Sequence, residues 1–242
     1  MDDKRSLLKA DHIDVTNKIK ICIPTVGEIL ENEQAYYSTI NSLTATPYQY
    51  MVQLDDMGID FTEITDYQLF MMLFPVYAKS DMSLIFGDLY TSDYSIYHDN
   101  KNDTNILYSK TNDVDGKIDE FVYMNIVNAI RKINCLERVK FKPGNEEAKH
   151  YLLKKERKKQ KRNAKKPYEP YLEKLVIALV NRPEFKYNYE EVMNLSIYKF
   201  NQSLKQIQTS ITFDKTMIGV YAGTVDTSKM TDRSCLSWIP IK

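Results

Sequence analysis

Residues 65–77 read TDYQLFMMLFPVY, and this stretch decides the class of fold. Thr65 and Gln68 have the spacing of a capping box, in which each side chain hydrogen-bonds to a backbone N–H left unpaired at a helix start. The pattern predicts a helix over 66–77 that is apolar on every side. Such a helix lies either at the centre of a core or half in a core and half in an interface. Methionine packs adaptably against partners. The candidate interface residues of this stretch are Phe70, Met71, Met72 and Phe74.

The same kind of start signal recurs along the chain. Thr25 with Glu28 is a second capping box, and Asn188 is an N-cap followed at the third position by Glu191. Gly58 is a predicted C-terminal stop, because glycine adopts the left-handed conformation that ends many helices. Helices are therefore predicted over residues 26–30, 33–43, 48–57, 66–77, 171–180 and 197–211.

A further helix is predicted to begin after Asp119, because apolar residues recur from there at every third position. The predicted core stripe of this helix is Phe121, Met124, Val127, Ile130 and Ile133. The last 30 residues carry no such period, and they are expected to be irregular or short-stranded up to the apolar end around Trp238. Trp238 joins the candidate interface residues.

A different pattern occupies residues 80–118. Short β-prone runs at 83–86, 94–97 and 105–108 are separated by Asp-, Asn- and Gly-rich turns at 99–103 and 112–116, with a type I′ turn at Asp115–Gly116. These runs predict a small antiparallel β-meander. The fold class is therefore mainly α with a small inserted antiparallel β-meander, an α+β arrangement. The predicted parts are a helical part (1–79), the insertion (80–118), a second helical part (119–211) and an irregular end (212–242).

The most strongly charged segment is 149–166, a predicted helix that carries ten basic side chains and one acid, Glu156. The segment is thus +9, and because the whole chain is neutral, the remainder is −9. One interpretation is a solvated connecting helix that docks on an acidic surface of this protein or of a partner. The alternative is nucleic-acid binding through phosphates. A membrane surface is disfavoured because the helix lacks an apolar face. The candidate contacts are Lys154, Lys155, Arg157, Lys158, Lys159, Lys161, Arg162, Lys165 and Lys166.

Known catalytic and metal-binding patterns fail at named positions. Residues 113–119 resemble a calcium loop, but alignment on Gly116 places Thr111 and Val122 where the first acid and the closing glutamate belong. The three histidines have no neighbour at ligand spacing, and the three cysteines are far apart. The sequence contains no nucleophile-elbow, P-loop or zinc-protease motif. We therefore expect no enzyme activity, no cofactor and no metal.

Tyrosine is abundant (18 residues) and glycine scarce (7 residues). Eighteen tyrosines exceed what a core needs, so some are expected at interfaces, where an apolar ring with a polar end is favoured. The longest apolar runs are too short for a membrane span, and the first residues lack the apolar run of a signal peptide. The expected location is therefore the cytoplasm, or an assembly built there.

Several stretches resemble a family. KIKICIPTVGEIL at 18–30, YAGT at 221–224 and LSWI at 236–239 resemble poorly characterised proteins encoded among the tail and virion morphogenesis genes of tailed phages and prophages of Gram-positive bacteria. LSIYKFNQSL at 195–204 is similar to a helix start common in phage tail assembly chaperones. The resemblance implies a non-enzymatic tail or baseplate component, or a tail assembly chaperone, with other phage tail or virion proteins as partners in an oligomeric assembly. The insertion and the basic helix exceed a minimal chaperone and favour the structural role. The resemblance implies a location in the host cytoplasm during assembly, or in the virion if the protein is structural.

Overall fold

The computed structural model describes residues 6–100, 102–109 and 116–239. It is 53% helical and 9% strand, which confirms a mainly α fold with a small β component. The strands are β1 (His12–Asp14), β2 (Lys20–Cys22), β3 (Tyr94–Asp99) and β4 (Thr104–Ser109). The helices are α1 (Val26–Glu31), α2 (Glu33–Leu43), α3 (Met51–Asp56), α4 (Asp66–Tyr77), α5 (Ser83–Phe86), α6 (Glu120–Asn134), α7 (Glu146–Asn163), α8 (Leu172–Val180), α9 (Tyr189–Met193) and α10 (Ile197–Tyr221).

Helix starts follow the predicted caps. The Thr25 hydroxyl accepts from the backbone N–H of Glu28 at 3.2 Å, and the Glu28 carboxylate accepts from the Thr25 N–H at 2.7 Å. The boxes at Thr65 and Asn188 have the same reciprocal bonds. Each such cap stabilises its helix by about 1 kcal/mol. α3 is shorter than predicted, because residues 47–50 form turns, but its stop at Gly58 (φ +73°) is confirmed.

The insertion contains a hairpin in place of the predicted three-stranded meander. β3 and β4 pair antiparallel, from Tyr94 opposite Ser109 to Asp99 opposite Thr104, and Ile118 forms a single bridge to β4. The prediction of a strand at 83–86 is wrong: this run is the helix α5, which ends at Gly87 with φ +60°. A four-residue apolar run does not separate strand from helix by its period. The predicted turn at 112–116, including Asp115–Gly116, falls largely outside the described residues.

The predicted stripe on α6 is wrong at its first two positions. Phe121 is 70% and Met124 51% exposed, whereas Val127, Ile130 and Ile133 are buried as predicted. A step of three residues turns about 300° around a helix, so the stripe drifts by about 60° per step and leaves the core face. Tyr123 and Ile126 are buried beside the last three stripe residues.

α10 continues ten residues beyond the predicted end at 211 and ends only at Tyr221, before Gly223 with φ +69°. The prediction that 212–221 are irregular is therefore wrong, and no strand lies in the described part of the segment that follows, residues 222–239. A second strand pair joins β1 and β2 in antiparallel register, with Ile13 opposite Ile21.

The core joins both ends of the chain. Ile19, Ile29, Ile126, Ile197 and Phe200, all at most 1% exposed, belong to one hydrophobic cluster that also takes in α8. A smaller cluster lies under α7 and contains Ala45, Met51, Val52, Leu54, Phe61, Leu69 and Leu153. The borders at 79, 118 and 211 therefore remain predictions about organisation, since packing crosses them. Over the described residues, no helix combines the length and apolar character that a membrane span requires.

Candidate functional site

The predicted basic helix exists as α7, which begins at Glu146, three residues before the predicted segment. The Asn145 side chain accepts from the backbone N–H of Ala148 at 2.8 Å, and two glutamates occupy the first turn, where the helix dipole favours negative charge. The helix ends at Asn163, so two candidate cations, Lys165 and Lys166, follow it.

One stripe of α7 docks on this chain. Leu153 is buried in the smaller hydrophobic cluster, and Arg157 contacts Asp55 and Asp56 at 2.5 and 2.6 Å. Lys149 contacts Asp60. A hydrogen bond from Lys149, with a further one from Thr62, lowers the pKa of Asp60 to about 2. The basic helix therefore rests on an acidic surface of its own chain, one of the two arrangements that a connecting helix was expected to adopt.

The opposite side of α7 carries most of its cations. Lys149, Leu153 and Arg157 lie within about 80° of one another around the helix, and Tyr151, Lys158 and Arg162 lie on the other side within about 40°. Tyr151 is 65% exposed. We name this surface the cation face. It consists of Tyr151, Lys154, Lys155, Lys158, Lys161 and Arg162.

The cations of this face are exposed, and none of them has an ion pair with another residue of the described chain. Lys159, at its edge, pairs with Glu156 at 3.3 Å. Docking thus uses two of the ten basic side chains and leaves the majority directed to solvent.

A groove of about 580 Å³ runs beside the cation face, between α7 and the start of α3. Its apolar lining is Tyr48, Met51 and Leu152, and its charged lining is Lys155, Glu156, Lys158, Lys159 and Arg162. Four cations against one acid, over an apolar floor, form a site suited to an anion that also carries an apolar or aromatic group.

The candidate interface residues on α4 are mostly core. Phe70, Met71 and Phe74 are at most 7% exposed, and the Phe70 ring lies 4.5 Å from that of Tyr123. The structure places these three side chains in the core, as the core alternative for this helix describes. Met72 is 38% exposed, and Trp238 is 59% exposed.

A surface of which the sequence indicated only Trp238 is the C-terminal arm, which we define as residues 208–239. The structure describes the whole arm, and none of its residues is buried. Its helical part exposes Ile218 by 69% and Tyr221 by 83%. The following segment returns along α10, where the Gln206 side chain donates to the Trp238 carbonyl at 2.7 Å. Residues 197–218 contain no proline or glycine, and this lack of a helix breaker was the signal that could have extended the predicted helix.

A second groove, also of about 580 Å³, is acidic and lies between α2 and α8. Glu31, Glu33 and Glu173 line it together with Tyr168 and Ile177. Burial, with the nearby Glu33 charge, raises the pKa of Tyr37 to about 12. Glu33 itself accepts three hydrogen bonds at the start of α8, so its carboxylate is already engaged.

A third cleft has its two arginines paired within the chain. In a cleft of about 340 Å³, Arg138 forms a two-bond contact with Asp66 at 2.8 and 3.0 Å, and Arg131 donates to the Thr44 carbonyl. Among the residues that the structure describes, no group of three or more His, Cys, Asp or Glu side chains is placed to hold a metal ion.

Residues 158–241 match the family model of the YomV second domain. YomV is a Bacillus phage or prophage protein, so the match is consistent with a phage protein. The matched region, about a third of the chain, begins inside α7 and contains α8, α9, α10 and the C-terminal arm. No curated protein and no solved structure matches the chain.

Proposed function

We propose that the chain is a non-enzymatic structural component of a phage virion, in the tail or baseplate, and that it acts through protein–protein contacts. The observation that carries this proposal is the C-terminal arm. None of its 32 residues is buried, although several of them have large apolar side chains. The arm lies inside the region that matches the phage-protein family.

The arm has the physical character of half an interface. Most of the stability of a protein helix comes from packing an apolar face, and no residue of the arm is buried. Ile218, Tyr221 and Trp238 are large, exposed side chains of the kind that anchor protein interfaces. A partner subunit that covers them would bury the apolar surface that the isolated chain leaves in water.

The charge distribution supports ordered docking in an assembly. The basic segment is +9 and the remainder −9, and the acidic groove at α2 and α8 lies on elements other than the cation face. Complementary charges mainly set the orientation and rate of association, and exposed apolar anchors supply affinity. The alternative within the same class is a tail assembly chaperone that holds other tail proteins and is absent from the mature virion.

Mass spectrometry of purified virions tests the proposal, together with deletion of the gene. We expect the chain in the particles at many copies, with tails incomplete when the gene is deleted. Absence from particles, combined with missing tails on deletion, would support the chaperone instead. Normal virions that lack the protein and form without its gene would overturn both roles.

A further inference from the structure

We propose that the cation face of α7 binds the phosphate backbone of a single-stranded nucleic acid, with the Tyr151 ring as a stacking surface for an unpaired base. This inference is independent of the C-terminal arm and of the proposed virion role. It depends on the way in which α7 is docked, on the composition of the face and on the groove beside it.

Docking fixes the cation face outward. Leu153 is held in the smaller cluster and Arg157 on Asp55 and Asp56, so the stripe at 149, 153 and 157 faces the protein. Lys158 and Arg162 then lie on the opposite side, and the face extends about 16 Å from Tyr151 to Arg162. A row of cations held on a rigid helix loses less entropy on binding a polyanion than a flexible tail does.

The composition of the face favours phosphate over protein. Protein interfaces are depleted of lysine and contain a desolvated apolar centre. Tyr151 is the one aromatic or aliphatic member of the cation face, and the others are four lysines and one arginine. Lysine and arginine neutralise phosphates and release their counterions, which is the main source of nucleic-acid affinity.

Tyr151 and the groove favour a single strand. Exposed aromatic rings among cations stack on unpaired bases, and each stacked base adds to the affinity for a single strand. The adjoining groove of about 580 Å³ places the Tyr48 ring and the Met51 side chain beside four cations, so it has room for a base next to its phosphate. Paired bases in a duplex are not available for such stacking.

The acidic remainder of the chain does not cancel this face. Asp55, Asp56 and Asp60, the acids under α7, are already paired with Arg157 and Lys149. Charges farther away than about 8–10 Å are screened at physiological salt. The local potential at the cation face is therefore set by its own unpaired cations.

Fluorescence anisotropy with the full chain tests the proposal. The probes are a labelled oligo(dT) of about 20 nucleotides, the matching duplex and an acidic poly-glutamate peptide of equal length, each at about 50 and 200 mM salt. We expect the single strand to bind most tightly and its affinity to fall steeply with salt. The absence of binding at the lower salt, or tighter binding of the peptide, would overturn the proposal.

Variants locate the binding on the molecule. The triple change Lys155→Gln, Lys158→Gln and Arg162→Gln should weaken oligo(dT) binding on the order of tenfold or more and reduce the log–log salt slope by about 2. The matched control removes three exposed cations elsewhere, Lys18→Gln, Lys79→Gln and Lys132→Gln, at the same change in net charge. Equal weakening by both triples would refute the assignment to α7.

Tyr151→Ala tests the stacking step. Loss of one base–aromatic stack should weaken single-strand binding by about 5- to 150-fold and leave duplex binding unchanged. Circular dichroism of each variant establishes that α7 is still helical, which is expected because all four altered residues are exposed. An unchanged affinity of the Tyr151 variant, or a preference for the duplex, would contradict the role of the ring.

Discussion

Glu33 joins the first helical segment to α8 through one carboxylate oxygen. Its Oε1 accepts from the backbone N–H groups of Tyr171 and Leu172 at 2.7 and 3.0 Å and from the Tyr168 hydroxyl at 3.1 Å. The residue at the N-cap position of α8, Tyr171, makes no side-chain capping bond, so Glu33 takes that function from a distant part of the chain. Burial and the hydrogen bond to Glu33 raise the pKa of Tyr168.

Replacement of Glu33 by alanine should destabilise the protein by about 2–3 kcal/mol, because one buried and one partly buried backbone N–H lose their acceptor. Glu33→Gln keeps one carbonyl oxygen and should have a smaller effect. Urea unfolding measures both, with Glu31→Ala as the control on an exposed neighbouring glutamate. If Glu33→Ala unfolds at the same urea concentration as Glu31→Ala, the capping role of Glu33 is wrong.

At this scale the sequence predicts what lies close along the chain. The caps at Thr25, Thr65 and Asn188 were predictable because donor and acceptor are three residues apart. The contact between Glu33 and Tyr171 joins residues 138 positions apart, and no local pattern encodes it. The burial of Phe70 and Phe74 was likewise left open, since an all-apolar helix has no polar side to orient it.

Among the helices, α7 depends most on its contacts with the rest of the chain for its stability. Leu153 is its one buried residue, and many of its lysines and arginines repel one another at spacings of three and four. The anchoring stripe at 149, 153 and 157 was visible in the sequence as a spacing of four. Its acidic partners on α3 and the following loop were not, because they are about 90–100 residues away.

Leu153→Ala should release α7 from the smaller cluster, because it leaves a cavity under a helix with no other buried side chain. Leu→Ala changes in cores cost about 2–5 kcal/mol, and here that cost should appear as local opening. Limited trypsin digestion measures the opening, since α7 is rich in lysine and arginine. Tyr151→Ala, on the exposed side, is the matched control. Equal cleavage rates in the two variants would show that Leu153 does not anchor the helix.

The contribution of the contact between Asp60 and Lys149 to stability should be lost at low pH. The folded pKa of Asp60, about 2, lies below its ordinary value of 3.8, so its contribution to stability is complete above about pH 4 and is lost as the pH falls toward 2. The difference in urea midpoint between wild type and Asp60→Asn should therefore be constant from pH 7 to about 4 and shrink below it. Asp88→Asn, at an exposed site, is the control, and a difference that grows on acidification would contradict the assignment.

At the scale of the whole molecule, two exposed surfaces, the cation face and the C-terminal arm, lie on a fold with one large and one small hydrophobic cluster. Residues from β2 to α10 share the large cluster, so the segment matched to the phage family packs on the rest of the chain. The cation face and the C-terminal arm lie outside that cluster's buried set. The overall mainly α class and the charge asymmetry followed from composition and helix signals. The length of the helix in the arm did not follow from the sequence, because this helix was predicted to end at 211.

Removal of the arm after residue 212 should leave folding intact and prevent assembly. Among the residues that the structure describes, Ile207 is the last buried one, so a chain that ends at Thr212 keeps all of these and should unfold within a few degrees of the full chain. The same truncation should fail to restore tails to phage that lack the gene.

Ile218→Ser with Tyr221→Ser should fail in the same way, whereas Asp214→Ser with Lys215→Ser, at exposed polar positions of the same helix, should restore them. Thermal unfolding and tail counts by electron microscopy are the two measurements. Full restoration by the truncated chain would exclude the arm as the partner surface, and a large loss of stability would show instead that the arm belongs to the fold.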